Sequence, residues 1–321
     1  MKRNIFKWLA VIFILLVLLV VRVVKRTYTF KSQPFKNKKL VQIEFKDLEN
    51  RDVLIKKEKE GWSLFVSTKP YPVDKNRIDE LAEKIDKFQL TETVTKDPKK
   101  YSEYKVDNDS ATIVKIYFEK AKFPYVVYFG KIGGFSFSES YVRLNNNPQV
   151  YIAKGLTSFN FKTNFYDFCD KTVLKDNNIE EDINTILIKY QSKTINLKKE
   201  LKENTTYWID VNTNKKVDVS KVNSFFLILK NFYSDIIIDE KEVDLSKSKV
   251  DFEIKLQASL ESYVDICFYK EYRKNEIPLY PVKIKAFNVS SYIEAVGKED
   301  VIYGSYKYKY DDFTQRISDL K

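Results

Sequence analysis

The feature that constrains the whole chain is an internal repeat. Val73-Asp74 recurs as Val217-Asp218, an offset of 144 residues. The same offset carries Ile78 to Val222, Leu81 to Phe225, Ile85 to Leu229 and Phe88 to Phe232. In each set the apolar residues follow one another at steps of three, four and three, which is one face of an α-helix. Asp is a residue type that caps a helix N-terminus. Four core positions and a cap, kept in step without a gap, predict two copies of one unit, too few for a long solenoid.

The stretches around the two helices read as short strands. Before the first lie Leu40–Asp47, Val53–Lys57 and Gly61–Ser67, a β-meander, and then Lys69–Asp74, a Pro-containing break. Before the second lie Ile183–Tyr190 and Thr194–Lys199, with Tyr207-Trp208-Ile209 in the place of Gly61-Trp62-Ser63. After the first helix, strands are expected at Thr112–Glu119, Tyr125–Phe129, Ser140–Leu144 and Gln149–Ala153. Val264–Phe268 and Ile302-Tyr303 echo the second and the last of them. The expected fold is α+β: two tandem copies of an antiparallel β-sheet unit with one crossing helix each, at 40–156 and 183–321, joined by an aromatic connector at 157–182. Trp62, Asp74, Trp208 and Asp218 mark the repeat, and each Trp is read as closing its unit's core.

Ahead of these units, Ile5 to Val24 is apolar apart from Lys7 and Arg22, and Trp8–Val21 is uninterrupted. Twenty residues at about 1.5 Å each span roughly 30 Å, the thickness of a bilayer core. No small-residue cleavage site follows, so 1–24 is read as a retained single transmembrane helix and 25–39 as a basic juxtamembrane linker. Residues 1–39 hold ten Lys or Arg and no acid, so the formal net charge of +11 shrinks to +1 once they are set aside. The basic excess is therefore suited to anionic headgroups, and the globular part lacks the charge of a nucleic-acid binder. The positive residues flanking the run are nearly balanced. The short N-terminal tail places the domain outside the cytoplasm, on a single-pass cytoplasmic-membrane protein with the bilayer as its first partner.

The sequence contains no His, which removes His-based catalysis and His-ligated zinc. Cys169 and Cys267 form neither a zinc site nor a redox motif; they are read as two buried free thiols, with pairing outside the cytoplasm as the alternative. Gly130-Lys131-Ile132-Gly133-Gly134 lacks the ending of a P-loop and reads as a hairpin turn. Asp107-Asn108-Asp109 lacks the Gly and Glu of a calcium loop and reads as a turn. Asp235, Asp239 and Glu240 are the carboxylates that glycoside chemistry could use. Tyr306, Tyr308 and Tyr310 alternate with lysines, which on a strand gives one tyrosine face, either a partner or ligand surface or core. No catalytic, metal or cofactor-binding residue is assigned, and no cofactor is expected.

The order of motifs resembles a known family. A Trp follows a β-meander and a Val-Asp opens the helix; Tyr101 and Tyr104 make a Tyr-rich turn, and a strand ends in Gly130. Tyr141-Val142-Arg143, Val150-Tyr151 and an exit at Asp170–Leu174 follow. This order is similar to that of the domain-of-unknown-function 4340 family, from about residue 40 into the second copy. Members are typically single-pass membrane proteins encoded beside ABC transporters of the gliding-motility auxiliary type, and no catalytic residues are established for them. The resemblance implies a non-enzymatic, membrane-anchored, extracytoplasmic accessory subunit whose partners are ABC transporter components. The alternatives are a cell-envelope ligand- or glycan-binding protein and a carboxylate-based envelope enzyme. In the second copy, Glu271–Lys274 stands where the family's Gly-containing turn is expected, so the two copies need not do the same job.

Overall fold

Alternating apolar residues can be buried only on one face of a sheet, and the strands of this chain use that period. The computed structural model describes residues 32–133, 137–145, 147–203, 205–289 and 293–320. The apolar run Ile5–Val24 lies outside the described residues, among which no helix is long and apolar enough to cross a membrane. The fold is α+β, dominated by antiparallel sheets, and it divides into two compact units at Phe165/Tyr166.

In the first unit the elements are β1 (Leu40–Lys46), β2 (Asp52–Lys57), β3 (Trp62–Val66), β4 (Lys69–Tyr71), α1 (Lys75–Asp86), β5 (Gln89–Thr95), β6 (Thr112–Phe118), β7 (Tyr125–Ile132), β8 (Glu139–Leu144) and β9 (Val150–Lys154). They form one open nine-stranded sheet in the order β4-β3-β2-β1-β6-β7-β8-β9-β5. Ile43, Ile55, Leu64, Val114, Ile116, Val127, Phe129 and Val142 are buried, as are Ile78, Leu81 and Ile85 of α1. Asp74 caps that helix by accepting a hydrogen bond from the Arg77 amide (3.1 Å), a contact worth about 1 kcal/mol. Ahead of β1, Ser32 exchanges two hydrogen bonds with Leu90 (3.0 and 2.8 Å). Phe35 then fills a slot against Phe88, Phe118 and Tyr125, with ring centroids 5.2–5.3 Å apart.

The second unit holds β10 (Thr172–Lys175), β11 (Thr185–Tyr190), β12 (Lys193–Lys202), β13 (Thr205–Asp210), β14 (Lys215–Val217), α2 (Val219–Lys230), β15 (Asn231–Tyr233), β16 (Ile236–Ile238), β17 (Val250–Ser259), β18 (Ser262–Tyr269), β19 (Tyr272–Lys274), β20 (Ile277–Phe287), β21 (Ala295–Val296), β22 (Ile302–Tyr306) and α3 (Lys307–Asp319). Its main sheet runs β14-β13-β12-β11-β17-β18-β20-β22-β16, the same order of positions as in the first unit. Helices α1 and α2 begin and end 144 residues apart, and Asp218 caps α2 as Asp74 caps α1, here through the Ser220 amide (2.9 Å). Phe88 meets Phe129 at 6.2 Å, and Phe232 meets Phe268 at 5.7 Å. The ladder places those partners alike, since Phe129 pairs with Val142 and Phe268 with Val282. Additions to the second unit are the small β15-β10-β21 sheet, strand β19 and the terminal helix α3.

One sequence expectation is corrected here, and two strands not expected from the sequence are added. Lys69-Pro70-Tyr71 is a strand, not a break; it lies at the sheet edge, where proline's missing donor is tolerated. Gln89–Thr95, not expected as a strand, is the opposite edge strand, Thr-rich and without alternation. Glu271–Lys274, which stands where a Gly-containing turn is expected, belongs to a hairpin. Residues Tyr272–Lys274 pair with β20 across Asn275-Glu276, both at positive φ (49° and 68°), the backbone of a two-residue hairpin turn.

Candidate functional site

The tyrosines 306, 308 and 310 do not share a strand face. Tyr306 ends β22, and helix α3 carries Tyr308 and Tyr310. The helix forms because Tyr310, Phe313, Ile317 and Leu320 recur at helical steps, with Phe313, Ile317 and Leu320 buried. Tyr310 stacks on Tyr280 (3.8 Å, 14°) and hydrogen-bonds Asp251, so it is a packing residue. Tyr308 is 61 % exposed. Its hydroxyl donates to Asp235 (2.8 Å), and partial desolvation of that hydroxyl, with the Asp235 hydrogen bond and charge, pushes its pKa up to about 12.

Asp235 is spent on this helix. Its carboxylate accepts from the Tyr306 amide, the Tyr308 hydroxyl and Lys309 Nζ, each at 2.8 Å. That is a negative group at a helix N-terminus, where the dipole favours it. Asp239 sits beyond the far end of β16 and caps its own turn through the Lys241 amide (3.0 Å). The two carboxylates therefore do not converge. Asp107 accepts from the Asp109 and Ser110 amides (3.0 and 2.9 Å). Burial raises its pKa, but the Ser110 and Asp109 hydrogen bonds outweigh that and hold it below the usual range. Cys169 is buried, and Cys267 is half-buried with its thiol pushed up to about 11 by burial. Trp62 pairs with Lys57 and Trp208 with Lys199 at the same ladder position, two residues past the buried Ile55 and Leu197. Trp208 is buried against Phe226 (5.8 Å), whereas Trp62 stays half-exposed with Lys57 Nζ 5.4 Å from its ring.

The residues that do converge are on β7, β8 and the strap from Tyr101 to Asn108. Arg143 is buried, and its guanidinium lies 3.6 Å from the Tyr128 ring and 4.9 Å from the Tyr101 ring. It donates to the Val106 carbonyl (3.2 Å) and the Asn145 carbonyl (2.9 Å), and it has no carboxylate partner among the described residues. Tyr104 and Tyr141 meet at 4.7 Å, and exposed Lys131 stands 5.5 and 5.7 Å from their rings. Gly130 makes this possible: a Cβ there would stand 2.1 Å from the Tyr104 carbonyl oxygen. Gly130 is thus a crossing point inside β7 and not the hairpin turn expected, because the strap's backbone rests on it. Gly133 plays a like part under the Tyr141 ring (2.7 Å).

This patch offers half-exposed phenol rings and two cations, one of them fixed by cation–π contact on rigid strands. Its chemistry is stacking and charge recognition. The sequence alone offers Tyr101, Tyr104, Tyr141 and Arg143 only as family motifs, Gly130 and Lys131 as part of a turn, and Tyr128 only within a strand; it places none of them at a site. The missed signal is that Tyr128 is the direct cross-strand partner of Arg143. In the second unit the equivalent pair is Cys267 and Lys283, so the patch belongs to the first unit alone.

Compared with known proteins, residues 62–247, more than half of the chain, match a family described as a domain of unknown function (DUF4340). No curated protein and no solved structure matches the chain.

Proposed function

The chain belongs to the DUF4340 family, and from that premise we propose that it is a membrane-anchored contact subunit of an ABC-type transport system, held outside the cytoplasm and working without catalysis. The observation that carries this reading is the aromatic–cationic patch around Arg143. It is set on β7 and β8, clamped by the Tyr101–Asn108 strap, and built from groups that recognise and do not react. The anchor is the Ile5–Val24 run, and the transporter link follows the family resemblance. The two units are read as copies of one ancestral unit, of which the first kept or gained the contact patch.

The glycan-binding reading has less support, because Tyr306, Tyr308 and Tyr310 form no common face. The carboxylate-enzyme reading has less support because Asp235 and Asp239 serve a helix end and a turn. The test is affinity co-purification of the full chain from its own membranes. The wild type should bring down integral-membrane transporter components, and Lys131→Glu or Tyr141→Ala should lose them at unchanged protein level. Loss of function in Asp239→Asn with the co-purification intact would replace this reading with the enzyme.

A further inference from the structure

The end of the first unit where β1 begins is basic and aromatic. Lys38 donates to the Tyr125 hydroxyl (2.6 Å) and Lys39 pairs with Glu119 (2.9 Å), so these residues lie along the β6–β7 turn. The β2–β3 turn is their neighbour: Lys39, Glu119 and Lys56 through Ser63 line one open depression of about 850 Å³. Glu119 and Glu58 are taken up by Lys39 and Lys56. Lys57, Lys59, Lys120 and Lys122 are exposed and carry no ion pair among the described residues.

Two aromatic side chains stand among these lysines. Phe123, at the β6–β7 turn, is 71 % exposed with Lys122 Nζ 5.5 Å from its ring, and half-exposed Trp62 borders the β2–β3 turn. Rings at headgroup depth with lysine stems reaching past them suit a bilayer interface. The length of chain ahead of the unit allows the same occupant. The described chain starts at Ser32, and the apolar run ends at Val24. The seven residues between reach at most about 25 Å, and Lys25, Arg26 and Lys31 among them extend the positive charge.

We propose that this end of the first unit docks on a bilayer surface containing acidic phospholipid, with Phe123 and Trp62 entering the headgroup layer and the four unpaired lysines above the phosphates. The proposal rests on the anchored reading of residues 1–24. Docking would fix the unit's orientation and leave the Arg143 patch to the partner.

The test uses the full chain in nanodiscs of phosphatidylcholine alone or mixed with phosphatidylglycerol, read by hydrogen exchange at residues 57–63 and 119–124. Slower exchange in the acidic discs only is the expected result. Each lysine contributes about fivefold in occupancy, so Lys120→Glu with Lys122→Glu, or Lys57→Glu with Lys59→Glu, should restore fast exchange. Equal exchange in the two discs overturns the proposal, as does protection that survives both charge reversals. Protection seen only in native membranes would assign the surface to a protein instead and overturn it too. Alkaline carbonate extraction tests the anchor separately. A chain released by carbonate refutes the anchor, and the same exchange measurement with added vesicles then still decides the docking.

Discussion

Replacing Gly130 with Ala should loosen the strap that holds the Arg143 patch together. The new Cβ would lie 2.1 Å from the Tyr104 carbonyl oxygen and 2.8 Å from Val106 Cγ1, where ordinary contact starts at 3.4 Å. The strap must therefore retreat by about 1.3 Å, an overpacking that costs about 1–3 kcal/mol. Retreat also stretches the Arg143–Val106 hydrogen bond, now 3.2 Å, and a bond from a charged donor is worth about 1.5–3 kcal/mol. Alanine returns about 0.5–1 kcal/mol because it is less flexible than glycine in the unfolded chain. The balance is a loss of about 1.5–5.5 kcal/mol, or roughly 10-fold at the least in the strap's opening equilibrium. Hydrogen exchange reads it directly at Lys105 and Val106, whose amides donate to the Ser102 and Tyr101 carbonyls (3.2 and 3.0 Å). Adding Val106→Ala should not rescue the variant, because the nearest obstacle is backbone. Unchanged exchange at both amides with an unchanged urea midpoint would show that the strap has room, and the crossing-point argument would fail.

Phe88→Ala and Phe232→Ala should each destabilise their unit by about 3–5 kcal/mol, since both rings are buried against equivalent sheet residues; near-neutral urea midpoints in both would refute the shared core plan. Asp265→Asn should raise the melting temperature at neutral pH. Burial, opposed by Lys255 at 3.7 Å, raises the Asp265 pKa, and one of its buried oxygens lacks a hydrogen bond. A raised carboxyl pKa means stability present below the ordinary aspartate value and lost as pH rises through the folded value. The gain from Asn should therefore vanish on acidification below about pH 3.9, and a gain equal at all pH values would refute it. Alkaline phosphatase fused after Lys39 should be active, and an inactive fusion with a fluorescent cytoplasmic reporter at the same point would reverse the topology.

The core was legible where one residue decided the outcome locally. Asp74 and Asp218 announced both helix starts, and the apolar steps after them announced the buried face. The edges were not legible, because β4 contains Pro70 and β5 is threonine and glutamate rather than an alternating pattern. An edge strand is held by one neighbour's ladder, and its own composition need not show it. Lys307–Tyr310 alternates like a strand for a few residues, but Phe313 and Ile317, further on, decide for a helix. At the patch the sequence supplied the members and not the reason for them. Gly130 reads as a turn until the Tyr104 backbone, which lies far from it in sequence, crosses over it.

The Ser32–Leu90 bridge and the Phe35 slot together set how the first unit responds to tension. If the chain is tethered through residues before Ser32, every pull from the tether arrives at two hydrogen bonds and then at one buried ring. Neither belongs to the nine-stranded ladder, which starts at Leu40. Residues 32–36 can therefore strip away before Asn37, Lys38 and Lys39 are pulled from Asp86, Tyr125 and Glu119, releasing about 17 Å of extended chain. Under such a tether the entry segment would act as a mechanical fuse, giving way before the sheet carries the load.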